Sequence, residues 1–250
     1  MDKILGWLLL PFFAISFLGS LVVFEVIQRI AYFGFGYKAH KNTVDILQLC
    51  IMNSLRLGGT RFKTLRSAQK VPTDRPIIII SNHQSMFDIP SIIWLFRKNH
   101  AKFVAKKELG KGIPSISFNL KHGGSVLIDR KDREQATQAI ENLGKYIEEH
   151  NRAACIFPEG TRSRDGMLKP FKTTGIKTLL QHSPSALVIP VAISGSWELL
   201  KYKLKPIPFG VKYKTQILPP IEPANYSADE IVQKAEEQIR MALGQENTEI

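Results

Sequence analysis

At 250 residues, with 44% hydrophobic and 22% charged positions, the chain is long and apolar enough for one compact domain with a short appendage, which excludes a disordered or low-complexity polypeptide. Two cysteines, Cys50 and Cys155, stand far apart and outside any CxxC pattern, so a disulfide framework and a cysteine-rich zinc module are excluded and reduced thiols are expected. Lys and Arg number 34 against 22 acidic residues, a surplus of +12 that points to an anionic partner: nucleic acid, a phospholipid surface or a phosphorylated substrate.

The chain opens on ILGWLLLPFFAISFLGSLVVF (residues 4–24), which carries no charge. As a helix this run reaches roughly 30 Å, the thickness of a bilayer's hydrocarbon layer. A cleaved secretory signal fits poorly, because Lys3 is offset by Asp2 and no A-x-A-type site follows. Pro11, Gly19 and Ser20 interrupt the run, so a kinked or re-entrant hairpin competes with a straight span. Residues 38–57 read as a second, amphipathic helix that joins this anchor to the rest.

Residues 46–73 contain no Asp or Glu and carry Arg56, Arg61, Lys63, Arg66 and Lys70. Beyond residue 60, apolar runs at 77–80, 103–105, 126–128, 153–157 and 187–193 read as strands. Most are continuously apolar, as expected of strands covered on both faces. Ala136, Ile140, Leu143 and Ile147 recur at helical spacing, and Ser227 with Glu230 forms a capping box ahead of Ile231, Ala235 and Ile239. Alternating strands and helices predict an α/β domain whose sheet is covered by helices on both faces. The expected division is 1–58 for membrane-anchoring helices and 59–250 for the α/β domain. A second basic stretch, KYKLKPIPFGVKYK (201–214), interleaves five lysines with Tyr202, Phe209 and Tyr213. That composition suits lipid headgroups, and beside an apolar anchor it favours a membrane surface over single-stranded nucleic acid. The basic domain is then expected on the cytoplasmic side.

Four polar motifs follow the carboxyl ends of these strands, the edge where ligand crevices form in open α/β sheets. SNHQSMFD (81–88) places His83 and Asp88 five apart. One continuous helix would not align them, but a strand end followed by a helix start can, with Asp88 capping the helix and turning back toward the imidazole. A histidine oriented by a carboxylate is a candidate general base. AKKEL (105–109) offers Lys106, and GGSVLIDR (123–130) ends in Asp129 and Arg130. FPEGTRSR (157–164) presents Glu159, Thr161 and Arg162 on a turn where Gly160 permits close approach, a candidate phosphate site. No nucleotide-binding loop, HExxH, GxSxG or GxGxxG motif occurs, and no metal site is expected. A group-transfer reaction would then require an already activated donor, such as a thioester.

NHQSMFD, AKKEL, GGSVLIDR, FPEGTRS and VIPVAI (188–193) resemble, in order, the motifs of the glycerolipid acyltransferases, and among these the 1-acyl-sn-glycerol-3-phosphate acyltransferases. The likeness covers residues 60–200. It implies that His83, held by Asp88, takes the proton of the sn-2 hydroxyl of lysophosphatidate as that oxygen attacks acyl-CoA or acyl carrier protein. It implies that Arg162 binds the acceptor phosphate with Lys106 and Arg130 assisting, and that Glu159, Gly160 and Thr161 line the acceptor site. Backbone amides near the base are expected to hold the oxyanion. No cofactor and no nucleic acid are expected; the partners are the donor, lysophosphatidate and a phospholipid surface.

Overall fold

The computed structural model describes residues 2–245. Its element order is α1 (Asp2–Leu57), β1 (Arg61–Arg66), β2 (Ile77–Ser81), α2 (Asp88–Leu95), β3 (Lys102–Lys106), α3 (Ile116–His122), β4 (Val126–Ile128), α4 (Arg133–His150), β5 (Ala153–Ile156), α5 (Thr174–His182), β6 (Leu187–Ser194), β7 (Lys212–Ile217) and α6 (Ala228–Leu243). Seven strands form one sheet in the order β1-β7-β6-β2-β5-β3-β4, parallel except between β6 and β7.

The central strands are buried along their length, β2 as IIIIS without one exposed position, which is why their apolar runs were continuous. Alternate side chains feed two cores. Ile77, Ile79, Cys155 and Ile189 pack with Leu47, Leu55 and Ile92 of α1 and α2. Ile78, Ile80, Ala154 and Val188 pack with Ile140, Ile176 and Ile231 of α4, α5 and α6. Helices therefore cover both faces of the sheet. Two strands escaped the sequence reading. Both β1 and β7 lie at one end of the sheet, and their polar-rich sequences, RFKTLR and KYKTQI, bury at most one face.

The helix α1 is broken at Gly36, whose φ of 77° lies in the left-handed region that glycine enters without strain. Its arms then run antiparallel: the Ser16 and Ser54 hydroxyls share a hydrogen bond at 2.7 Å, and His40 Nε2 donates to Gln28 Oε1 at 3.2 Å. Residues 38–57 form the second arm. The turn thus lies at Gly36, whereas Pro11, Gly19 and Ser20 all remain inside the first arm. Both open ends of the hairpin meet Ile207, against which a Cβ on Gly6 or Gly58 would collide. The first arm turns a stripe outward that includes Ile4, Trp7, Leu8, Phe12, Ile15, Val22, Val26, Ile30 and Phe33, all exposed. By length and composition α1 is apolar enough to cross a membrane, yet only 11% of its most apolar stretch is buried.

The bend of the hairpin docks on the amino-terminal edge of the sheet. There Lys102, 5% exposed, donates to the Tyr37 hydroxyl at 2.7 Å. Burial, with Arg152 and Lys41 adding to it and Asp45 opposing, pulls the Lys102 ammonium down to about 7 from an ordinary 10.5. Between these values the unfolded chain binds more protons than the folded one, so stability rises with pH across that window. Below pH 7 the penalty is fully present. Lys102→Met is expected to raise stability at pH 7 by about 1–4 kcal/mol and to flatten the rise between pH 7 and 10, read by urea titration at stepped pH.

Candidate active site

At the end of β2 the chain must leave a fully buried ladder without wasting its polar groups. Asn82 solves this with its side chain: Nδ2 donates to Ile193 O at 2.8 Å, while Ile193 N donates to Oδ1 at 2.7 Å. The carboxamide thus extends the pairing with β6 and locks the residue before His83. The backbone of His83 is clamped by the turn that follows β5. Its N–H donates to Glu159 Oε1 at 2.6 Å, and its carbonyl accepts from Ser163 N at 2.7 Å. Its ring lies on Phe157, with centroids 4.1 Å apart and planes 18° from parallel.

The imidazole faces Asp88, with Nδ1 and Oδ2 separated by 2.9 Å. The same Oδ2 accepts from Gln84 N at 2.7 Å and Ser85 N at 2.8 Å. The other oxygen, Oδ1, accepts from Ser196 Oγ at 2.6 Å and the Tyr213 hydroxyl at 3.4 Å. Asp88 is the first residue of α2 rather than its N-cap, while its carboxylate turns back toward the imidazole as the five-residue spacing predicts. Completely buried and acceptor-only, it assigns the proton to His83 Nδ1. The side chain of His83 is 16% exposed, and Nε2 makes no hydrogen bond among the described residues. A ring held in that tautomer offers Nε2 as a proton acceptor.

The turn after β5 is a closed loop. Glu159 is 4% exposed and spends both oxygens on backbone, Oε2 accepting from Lys169 N at 3.2 Å. Burial raises its carboxyl above the ordinary range, while the His83 and Lys169 amides pull it back. Glu159 therefore shapes the floor rather than reaching out as the sequence reading placed it. Lys169 Nζ donates to Thr161 Oγ1 at 3.1 Å and to the Arg162 carbonyl at 3.0 Å. The exposed Arg162 guanidinium forms no ion pair among the described residues. Gly160 has φ of 72°, and Lys172 stands where a side chain would be.

The family model for acyltransferases matches residues 63–194, more than half of the chain, from β1 to the end of β6. The chain belongs to the acyltransferase family. It is 32% identical over 163 residues to a 1-acyl-sn-glycerol-3-phosphate acyltransferase of Limnanthes douglasii, covering 64% of this chain and 55% of that protein. The chain thus spans about half the length of this plant relative. Identity to the 1-acyl-sn-glycerol-3-phosphate acyltransferase alpha of Mus musculus is 23% over 220 residues, covering 88% of this chain and 75% of that protein. The fold matches the crystal structure of PlsC, the 1-acyl-sn-glycerophosphate (LPA) acyltransferase of Thermotoga maritima, with a TM-score of 0.78 over 98% of this chain and 97% of that one at 24% identity.

The remaining two motifs meet each other. Lys107 forms an ion pair with Asp129, tying the end of β3 to the end of β4. Lys106 and Arg130 are left exposed. The register Ile79–Cys155–Phe103 sets Lys106 level with Asn82 on the same sheet edge, two strands or about 10 Å away. Neither Lys106 nor Arg130 touches the His83 loop through a hydrogen bond among the described residues. The expectation of oxyanion donors also changes. The amides of Gln84 and Ser85 serve Asp88, that of Ser163 serves His83, and that of Gly160 serves Phe157 O.

Five residues that build this site were not given a role in it from sequence. Asn82 and Phe157 lie inside quoted motifs, so their positions carried the signal. Lys169 stands just past FPEGTRSR as a basic residue among many. Ser196 and Tyr213 reach Asp88 from more than a hundred residues away; nothing local marks Ser196, and Tyr213, read from sequence as an aromatic of the basic stretch suited to headgroups, is instead buried at 1% exposure.

Proposed function

We propose that this protein transfers an acyl group from an acyl thioester to the sn-2 hydroxyl of lysophosphatidate, yielding phosphatidate. The reading rests above all on the His83 ring, whose Nδ1 faces buried Asp88 at 2.9 Å while Nε2 stays free. Nε2 takes the hydroxyl proton as the oxygen bonds to the thioester carbonyl carbon. Collapse of the tetrahedral intermediate breaks the carbon–sulfur bond, and the imidazolium returns its proton to the departing thiolate. No acyl-enzyme forms, and the proposed step needs no cofactor because acyl-CoA or acyl carrier protein brings an activated carbonyl. The likeness to named 1-acyl-sn-glycerol-3-phosphate acyltransferases supports the choice of acceptor.

The exposed Arg162, one strand from His83 on the adjacent turn, is the proposed partner of the acceptor phosphate, with Lys106 and Arg130 further along the edge. Arg162→Ala is expected to raise the lysophosphatidate KM about 10-fold or more with kcat little changed, because a charge-assisted contact made in ground and transition states is lost. An unchanged KM would move the phosphate elsewhere.

The apolar stripe of the hairpin is proposed to sit in the cytoplasmic leaflet, bringing the sheet edge to the layer that holds the lysolipid. Because both ends of the hairpin pack on Ile207, the reading is of a structure lying in the interface rather than leaving the domain behind. Phe12→Glu with Ile15→Glu is expected to cut binding to phosphatidylglycerol-containing vesicles by at least about 10-fold without lowering Tm. Retained sedimentation with vesicles would count against this placement.

The decisive experiment follows free thiol during incubation with acyl-CoA and a panel of lysophosphatidate, glycerol 3-phosphate and lysophosphatidylcholine. Thiol release dependent on lysophosphatidate is expected. Preference for another acceptor would reassign the substrate, and no release with any acceptor would leave a lipid-binding protein.

A further inference from the structure

The flank of the helical hairpin carries a cleft that the proposed chemistry does not use. It holds about 460 Å³ and lies between the first arm of α1 and the segment 110–122, which leads from the end of β3 through α3. Arg29, Lys111, Lys121 and His122 line it, and Glu25 is the one acid among its described lining residues. That acid is already engaged. Glu25 Oε2 accepts from Ser115 N at 2.5 Å, and Oε1 accepts from Arg29 Nε at 2.8 Å. Ser115 also donates its hydroxyl to Leu21 O at 2.6 Å. The chain ahead of α3 is therefore latched to the arm at two points.

One wall of the cleft is built from packed groups. The Arg29 guanidinium lies over the Phe118 ring, 4.7 Å from its centroid, and the His122 ring packs against the same phenyl at 4.4 Å. Lys111 and Lys121 are exposed, and neither forms an ion pair among the described residues. Three cations against one occupied carboxylate leave the cleft positive.

Its place on the helix narrows the ligand. Val26 and Phe33 stand three residues before Arg29 and four after it, so all three share one face of the arm. With Val22 these apolar residues are exposed and belong to the outward stripe. Cations along the rim of such a stripe sit at the depth of lipid phosphates when the stripe lies among acyl chains. The cleft is also separate from the base. The Phe17 ring packs on Phe87, the neighbour of Asp88, with centroids 5.9 Å apart. Arg29 follows Phe17 by 12 residues of the same helix, about 18 Å.

We propose that this cleft binds the phosphate of an anionic phospholipid headgroup, held by Arg29, Lys111 and Lys121, while the acyl chains run along Val26 and Phe33. The inference rests on the placement of the hairpin in the leaflet and deepens it by giving the membrane contact a headgroup class and a site. A cleft of this volume admits a glycerophosphate head. A lipid bound there is too far from His83 to react, so it anchors the hairpin and fixes its orientation.

The test measures binding to vesicles of phosphatidylcholine alone and of phosphatidylcholine with phosphatidylglycerol, at about 0.15 M salt. It compares the wild-type enzyme with a Lys111→Gln, Lys121→Gln double variant. A Lys63→Gln, Lys214→Gln variant is the control. It loses the same charge on the other side of the sheet, because the adjacent Phe62 and Tyr213 face the hairpin. Affinity for the phosphatidylglycerol vesicles is expected to fall about 10-fold or more in the first variant. The control should lose less than about 3-fold, since charges beyond a Debye length are screened. Binding to phosphatidylcholine alone and Tm should not change. Equal losses in the two variants would reduce the effect to diffuse attraction and overturn the site, as would unchanged affinity in the first. A loss of the same size on phosphatidylcholine alone would overturn the headgroup class. Inorganic phosphate at constant ionic strength should not release the vesicles; release would hand the cleft to a soluble anion. Failure of the wild-type enzyme to bind either vesicle would instead defeat the placement of the hairpin itself.

Discussion

His83→Ala is expected to lower thiol release by about 10²–10⁴-fold or more at saturating substrates, the range for loss of a positioned general base. The fold should tolerate it. The main-chain bonds of residue 83 to Glu159 and Ser163 do not involve the ring, and Asp88 Oδ2 keeps the Gln84 and Ser85 amides. What disappears is the stack on Phe157, the Nδ1 hydrogen bond to Asp88 and the unbonded Nε2. A single-turnover assay with acyl-CoA, run beside a thermal melt, separates chemistry from folding. Turnover near the wild-type rate with an unchanged melt would remove the imidazole from the mechanism.

Asp88→Asn is the second large effect, and a more informative change than Asp88→Ala, which would leave buried donors from His83, Gln84, Ser85, Ser196 and Tyr213 unanswered at once. An asparagine can keep its oxygen toward His83 and the two amides. Its nitrogen then faces the Ser196 and Tyr213 hydroxyls, which can rotate to accept. The fold is retained, but a neutral amide no longer stabilises the imidazolium that forms as the alcohol is deprotonated. A fall in kcat of about 10²–10⁴-fold is expected, with the lysophosphatidate KM nearly unchanged and the pH profile of kcat displaced. An altered KM at unchanged kcat would make Asp88 a residue that holds the loop and nothing more.

The layered fold was readable from the chain because β2, β5 and β6 are covered on both faces and so must be apolar at nearly every position. β1 and β7 were not, since an exposed end of a sheet tolerates lysines and arginines that read equally well as a basic loop. The helical hairpin was half legible. Its apolar first arm and amphipathic second arm follow from composition and periodicity, but the turn depends on the left-handed conformation of Gly36, and Gly19 in the same helix offered an equal invitation by residue type.

Of the site, the five-residue spacing of His83 and Asp88 allowed a strand-to-helix corner, and FPEGTRSR announced a tight turn. The side-chain directions were another matter. Glu159 reads as a ligand-facing acid on a polar turn, yet it lies buried beneath His83 because two backbone amides there need an acceptor. Asp88 reads as a helix cap, yet its oxygens serve five donors drawn from three parts of the chain.

The order of residues by itself determined which segments are buried, where the strands end and which groups capable of chemistry stand at those ends, because burial and turn preference act over a few neighbouring positions. Tertiary structure alone decided which of those groups meet. Ser196 and Tyr213 complete Asp88, and Arg61 and Lys63 come to face Lys212 and Lys214, only because parallel and antiparallel pairing brings distant strands into register, and hydrogen bonding across a sheet carries no trace in the local sequence of either partner.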